Sequence, residues 1–335
     1  MKILLAICLA LAAAWAGYWF IGSSALKSGL AAWFDARRAE GWVAEYDTLQ
    51  VQGFPSRFDT TFTALRLADP VTGLGWQAPF FQLLTLSYTP NHVIAVWPHT
   101  QSIALPEAEF SLTSADMRAS MVVAPSTALA LRRATLTGEA LSLAPQAGEE
   151  GDALSVAALR LAAERIEEGS AEARYHLGLA ATDIAPPAAL MAQLEGGDSV
   201  PRVIDNVTAD ITAHFTAPWD RFAIERARPQ PTAIEVKRLA VTWGAMSLEA
   251  SGALDIDARG LPEGDITLKA RGWQEALEIA RRTGALTPDM ADTAQGALTM
   301  MAGGDSALDI PLRLGEGRVW LGPLPIAPAP VLRLQ

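Results

Sequence analysis

VQGFPSRFD, residues 51–59, divides an apolar, helix-like leader from a long stretch in which apolar and polar residues alternate. Gly53 permits a positive φ or a close backbone approach. Pro55 removes a backbone donor and restricts Phe54 to extended geometry. A central strand would not tolerate this proline, so the segment reads as an edge or a bend. Directly after it, Phe58, Thr60, Phe62 and Ala64 alternate with Asp59, Thr61 and Thr63, the period of a half-buried strand. Arg57 and Asp59 are two residues apart and would share one strand face, where a local ion pair is the simplest role. Gly53, Phe54, Pro55, Arg57, Phe58 and Asp59 are therefore read as a structural motif, the hinge at which a β architecture starts.

Upstream of the bend, Ile3 to Ile21 carries no charge. Its length just spans a hydrocarbon core of roughly 30 Å. A cleaved signal peptide is the competing reading, with Lys2 as its charged start and Ala14-Trp15-Ala16 as an A-x-A site. The apolar run continues through Gly17-Tyr18-Trp19-Phe20-Ile21 without a polar region, and Trp15, Tyr18, Trp19 and Phe20 gather where an aromatic belt would sit. Residues 1–23 are accordingly expected to be an uncleaved anchor, the amino terminus inside and the bulk of the chain exported. The only cysteine, Cys8, lies within this run, so the exported part has no thiol and no disulfide. From Ser24 to Glu40, Leu26, Leu30, Trp33, Phe34 and Arg37 recur at helical steps. That helix either lies on the membrane surface or packs on the domain's own core, the second being the simpler reading.

Downstream the alternation persists. Phe81–Tyr88, His92–Trp97, Ser102–Leu105, Glu109–Leu112, Met117–Val123 and Arg133–Leu143 are β-prone, with turn signals at Pro79, Pro90-Asn91, Pro98, Pro106 and Pro125. The polar run Gly148-Glu149-Glu150-Gly151-Asp152 marks a boundary between β-rich halves at 24–147 and 153–335. In the second half, strands are expected at Leu154–Ala163, Ala173–Ala181, Val203–Thr216, Ile234–Trp243, Met246–Asp257, Asp265–Ala270, Leu308–Leu314 and Arg318–Leu321, before a proline-rich tail. Helices are expected after Pro186-Pro187, around Trp273, Leu277 and Ala280, which share one face, and after Thr287-Pro288, the last including Met290, Ala294, Leu298 and Met301, with Met300-Met301 in the core. The fold class is mainly β, of α+β type: an extended antiparallel meander, curved or groove-like, with a few packing helices and an amino-terminal transmembrane helix.

Composition narrows the function. The chain has 335 residues, 50% hydrophobic and 19% charged, with a net charge of −11. It is too apolar for a disordered chain. Its acidic balance excludes a nucleic-acid partner, which needs a basic stripe, and disfavours adhesion to anionic lipid by charge. The four histidines, His92, His99, His176 and His214, make no metal-ligand spacing. There is no nucleophile elbow and no phosphate loop. Asp255-Ile-Asp257 before Arg259-Gly260 resembles the start of a calcium loop, but Arg259 sits at a ligand position and Ile266 replaces the final glutamate, so a strand end and turn explain it better. No catalytic residue, cofactor or metal is expected, although a fold could still gather Asp59, His92 or Glu235 into an enzyme site.

VQGFPSRFD, with LSYTPNHVIAVWP at residues 86–98 and RVWLGPLPIAPAP at 318–330, resembles an uncharacterised bacterial envelope family defined only as a domain of unknown function. SGALDIDARGLPEGDITLKARGW at 251–273 and GEGRVWLGPLP at 315–325 are similar to the carboxy-terminal region of AsmA-like envelope proteins. That resemblance implies a β-rich protein held by the inner membrane, with its bulk in the periplasm, associated with lipid movement or outer-membrane integrity. Two functions follow as expectations. One is a non-enzymatic protein whose apolar sheet face holds lipid or acyl chains. The other is a scaffold for envelope proteins, which would show an exposed apolar patch in place of a cavity.

Overall fold

The computed structural model describes residues 1–146, 153–167, 173–194, 201–225, 228–284, 286–302 and 307–334. Strand outweighs helix, 54% to 23%, which fixes the class as mainly β. The chain divides into two compact units: Met1–Val123 with Leu136–Glu149, and Ala124–Thr135 with Glu150–Gln335. The boundary expected at Gly148–Asp152 lies outside the described residues. Residues 124–135, counted above with the first half, pack with the second unit, where Leu131 N donates to Trp219 O at 2.6 Å.

Helix α1 (Lys2–Ala39) is one element, not an anchor followed by a separate helix. Ala and Leu dominate it, no proline interrupts it, and Ser23 turns its hydroxyl back to Phe20 O, so nothing in Gly22-Ser23-Ser24 ends the helix. It is long and apolar enough to cross a membrane, and almost none of its apolar stretch is covered by the rest of the protein. Its later turns pack on the core of the first unit, as the simpler reading of Ser24–Glu40 required. Phe34 is buried with Ala44, Leu49, Phe62 and Leu65, and its ring lies 4.8 Å from Tyr46 and 5.4 Å from Phe62.

The first unit is an antiparallel meander of long strands, several of them interrupted. Strands β1 (Val43–Glu45) and β2 (Thr48–Gln52) both pair with β3 (Asp59–Ala68), β1 beyond β2 along the same edge. Neither stood out in the sequence. Next to β3 lies β4 (Gly75–Leu86). Strand β5 (Thr89–Val96) pairs with the second half of β4, and β6 (Thr100–Leu105) with its first residues. They form one strand broken at Trp97–His99. In the same way β7 (Ala108–Thr113) and β8 (Asp116–Val123) pair with β6 and β5 and form the next broken strand. The last residues of β9 (Leu131–Pro145) pair with β7.

Three prolines change role in this frame. Pro98 marks the break within a strand, whereas Pro106 forms the hairpin between β6 and β7. Pro79 lies inside β4 opposite Ala64, and Ala64 has a φ of 50°, so the missing donor falls where the ladder is already irregular. The same irregularity turns Ala64 outward and places Leu65 in the core, where alternation had Ala64 inward. Pro90-Asn91 lies within β5, in a bulge between the Thr85–Val93 and Leu86–Thr89 pairs. The turn is Ser87-Tyr88 instead.

The second unit is a plain antiparallel succession. Its strands are β10 (Leu154–Ile166), β11 (Ala173–Ala185), β12 (Ile204–Phe215), β13 (Pro231–Trp243), β14 (Met246–Ile256), β15 (Pro262–Arg271), β16 (Ala307–Gly315), β17 (Arg318–Leu321) and β18 (Leu324–Pro328), each paired with the next. The proline-rich tail thus begins with a strand, and Pro262 to Gly264 open β15, ahead of the strand start expected at Asp265. Helices α2 (Ala188–Leu194), α3 (Arg221–Glu225), α4 (Trp273–Arg282) and α5 (Pro288–Ala302) complete the unit. On α5 the buried residues are Ala291, Ala294, Leu298 and Ala302, so the inward face excludes Met301, and Met300 is 83% exposed. The methionines expected in the core lie outside it because the helix repeat carries the alanines inward. At the other end of the unit, the hydroxyl of buried Tyr175 accepts from Trp219 N at 3.0 Å and donates to Leu131 O at 3.4 Å.

Candidate functional site

Two places among the described residues gather side chains beyond what the sheets require. The first is the 51–59 bend. Gly53 has a φ of 104°, and a Cβ there would lie 2.7 Å from Arg57 Cβ, so only glycine fits without strain. The Phe54–Pro55 bond is cis. Ser56 N and Arg57 N both donate to Gly53 O, which closes the turn. Arg57 Nε pairs with Asp59 Oδ2 at 2.9 Å, a local ion pair on one edge.

The turn also receives α1. Trp15 Nε1 donates to Pro55 O at 2.9 Å, Tyr18 Oη to Ser87 O at 2.6 Å, and Trp19 Nε1 to Arg57 O at 2.7 Å. Around these bonds the rings of Trp19, Phe20, Tyr18, Phe54 and Phe58 pack with centroids 5.2–6.4 Å apart. Gly22 completes the contact, since a Cβ there would sit 2.9 Å from Phe58 Cζ. The bend is thus joined to α1: two of its carbonyls take the indole donors of Trp15 and Trp19, and the neighbouring Ser87 carbonyl takes Tyr18, all from one helix face. The aromatic cluster of Trp15, Tyr18 and Trp19 was visible in the sequence, but a partner 38 to 69 residues away was not.

The second place is a cavity of about 210 Å³ in the second unit, between α4 and α5 on one side and β14 to β18 on the other. Alternate residues of the strands, such as Leu268, Ile310 and Leu312, face Leu277 and Leu298 of the helices. The space is left by the small side chains Ala276, Ala280 and Ala294 on the helix faces. Every lining residue is apolar apart from the indole N–H of Trp273, a residue 4% exposed whose Nε1 has no acceptor among the described residues. A purely apolar cavity of about 150 Å³ already stays dry and admits a small hydrocarbon.

Three of the histidines take local partners. His92 Nε2 lies 2.9 Å from Ser120 Oγ, His99 Nδ1 lies 3.0 Å from Ser114 O, and His176 pairs with Asp210 on the surface. Among the described residues no group of three His, Cys, Asp or Glu could hold a metal. Asp257 caps a turn: its carboxylate accepts from Leu261 N and Arg259 N, and these bonds, Leu261's foremost, hold its pKa below the ordinary carboxylate value. The calcium-like spacing is therefore explained by the turn. Asp59, His92 and Glu235 do not share partners; Asp59 binds Arg57, His92 binds Ser120, and Glu235 is exposed on β13.

The family model described as an uncharacterized protein conserved in bacteria (DUF2125) matches residues 19–330, from the Trp19 of the clamp to the strand after β17 and beyond. The chain belongs to this family. No curated protein and no solved structure matches it, so the likeness of residues 251–325 to AsmA-like proteins has no counterpart in these comparisons. The family's match takes in the bend, Trp19 and the apolar cavity, and begins after Trp15 and Tyr18.

Proposed function

We propose that this family member is held in the inner membrane by α1, extends into the periplasm, and binds an acyl chain in the cavity beneath α4 and α5. The cavity carries the reading. It has room for about seven water-sized groups at about 30 Å³ each, and its walls offer only apolar contact. Each methylene moved there from water contributes about 0.8 kcal/mol, before the cost of ordering the chain. No acid, base or nucleophile lines it, so the reading is one of binding without catalysis.

The full chain in vesicles, exposed to a fatty acid bearing a diazirine on its tail and irradiated, should yield adducts on peptides from residues 268–298. Ala280→Phe, which fills the space, should suppress them. Adducts scattered evenly over the chain, or unchanged by Ala280→Phe, would remove the acyl-chain site.

A further inference from the structure

We propose that the tip of the first unit, made by the 53–57 turn and the Ser87-Tyr88 turn, is seated in the outer interface of the bilayer that α1 spans. This rests on the reading of α1 as a membrane span. The argument begins with length. At about 1.5 Å per residue, the uncharged run from Ile3 to Ile21 is about as long as the hydrocarbon core is thick, roughly 30 Å. The whole run is needed to cross. Yet Trp15, Tyr18 and Trp19, within that run, are already hydrogen-bonded to Pro55, Ser87 and Arg57. Trp15 stands about 9 Å before Ile21 along the axis. The two turns therefore share the depth of the last two turns of the span, and they meet lipid on every side that α1 does not cover.

The tip has the chemistry that depth demands. In lipid, backbone groups must be satisfied internally. Pro55 O, Arg57 O and Ser87 O receive the three ring donors of α1; Ser56 O receives Ser87 N, and Thr85 O receives Phe58 N. Pro55 has no N–H to satisfy. Arg57, the one cation of the bend, is neutralised by Asp59 in direct contact, which lowers the cost of its approach to hydrocarbon. The large apolar and aromatic side chains left uncovered there suit a membrane interface: Phe54 at 53% exposed and Tyr88 at 61%, beside Phe20 and Ile21 of the helix. Nothing in the sheet needs these residues outside. A lipid boundary accounts for them together.

The test uses the full chain in phosphatidylethanolamine–phosphatidylglycerol vesicles, with an environment-sensitive fluorophore on single cysteines and quenching by lipids carrying a nitroxide near the outer end of the acyl chain. The native Cys8 reports the span. In a Cys8→Ser background, Tyr88→Cys and Ser56→Cys report the tip, and Val71→Cys, at the far end of β3, is the reference. All three positions are exposed, so the fold is retained, as far-ultraviolet circular dichroism checks. Emission at Tyr88→Cys and Ser56→Cys should be quenched to the same order as at Cys8, with little loss at Val71→Cys. If Cys8 is quenched while both tip positions behave like Val71, the seating is wrong and the span stands. If Cys8 itself escapes quenching, the span fails and the seating with it.

Discussion

Trp19 Nε1 lies 2.7 Å from the carbonyl oxygen of Arg57, and the same indole ring stands edge-on to Phe54 and tilted against Phe58. One side chain thus supplies both the polar and the apolar half of the joint between α1 and the bend. Trp19→Phe keeps most of the ring contact and deletes the donor. Leaving the Arg57 carbonyl unpaired should cost about 1–3 kcal/mol. Chemical denaturation of the full chain in detergent, followed by far-ultraviolet circular dichroism, measures this. A midpoint equal to that of the parent would show that the bond contributes nothing.

Gly53 and Gly29 should respond in opposite directions to alanine. At Gly53 the φ of 104° and the Arg57 Cβ in the way predict a loss of about 1–3 kcal/mol. At Gly29, on α1 with nothing within 4 Å, alanine should gain up to about 1 kcal/mol from helix propensity. Parallel melting curves of the two variants test the pair, and a shift of the same sign in both would contradict it.

Tyr175 ties stability to alkaline pH. Burial raises its pKa above the ordinary value of 10.0, because the charged phenolate would be desolvated. Between the unfolded and the folded pKa the unfolded chain holds fewer protons, so stability falls as pH rises. The contribution is complete below about pH 10 and is lost as pH climbs through the raised value. Tyr175→Phe should remove this decline and, at neutral pH, cost about 1–3 kcal/mol by stranding the Trp219 N–H. Melting temperatures on either side of pH 10 provide the measurement; equal alkaline slopes in the two proteins would refute the linkage.

Leu298 reaches from α5 into the buried cluster with Trp273, Ile310 and Leu321. Leu298→Ala enlarges an existing void and should cost about 2–5 kcal/mol. Denaturant titration with and without a long-chain fatty acid separates two effects. Occupancy of the cavity would return part of the loss on adding the ligand, and no return would count against the proposed binding.

Placement of the carboxy-terminal end checks the orientation. Alkaline phosphatase fused after Gln335 should be active, since it matures only outside the cytoplasm, while a green fluorescent protein fusion exported by the same route should stay dark. The reverse pattern would put the β units on the cytoplasmic side.

The β character was legible because period-two alternation survives wherever one strand face is covered: Phe58, Thr60 and Phe62 are all buried, as their spacing required. The apolar leader and the helices at Trp273 and Pro288 were legible for similar reasons of period and capping. What stayed hidden depends on distant partners. β1 and β2 are only three and five residues long and exist because β3 offers them an edge. Pro98 and Pro106 are the same residue with different meanings, and only the register of neighbouring strands tells a break from a turn. The candidate sites show the same limit. The ring cluster on α1 and the Gly53–Asp59 bend each stood out, but their bonds to one another did not. The cavity arises from alanines on α4 and α5, residues that carry no signal by themselves.

Because α1 runs from Lys2 to Ala39 without a joint, the stretch long and apolar enough to cross lipid and the stretch that carries Phe34 into the core form one rod. The first unit cannot swivel on a flexible leash. With α1 across a bilayer, the unit's attitude would follow the lean of that rod, and thickening or thinning of the membrane would be felt as a change in the angle at which the sheet stands.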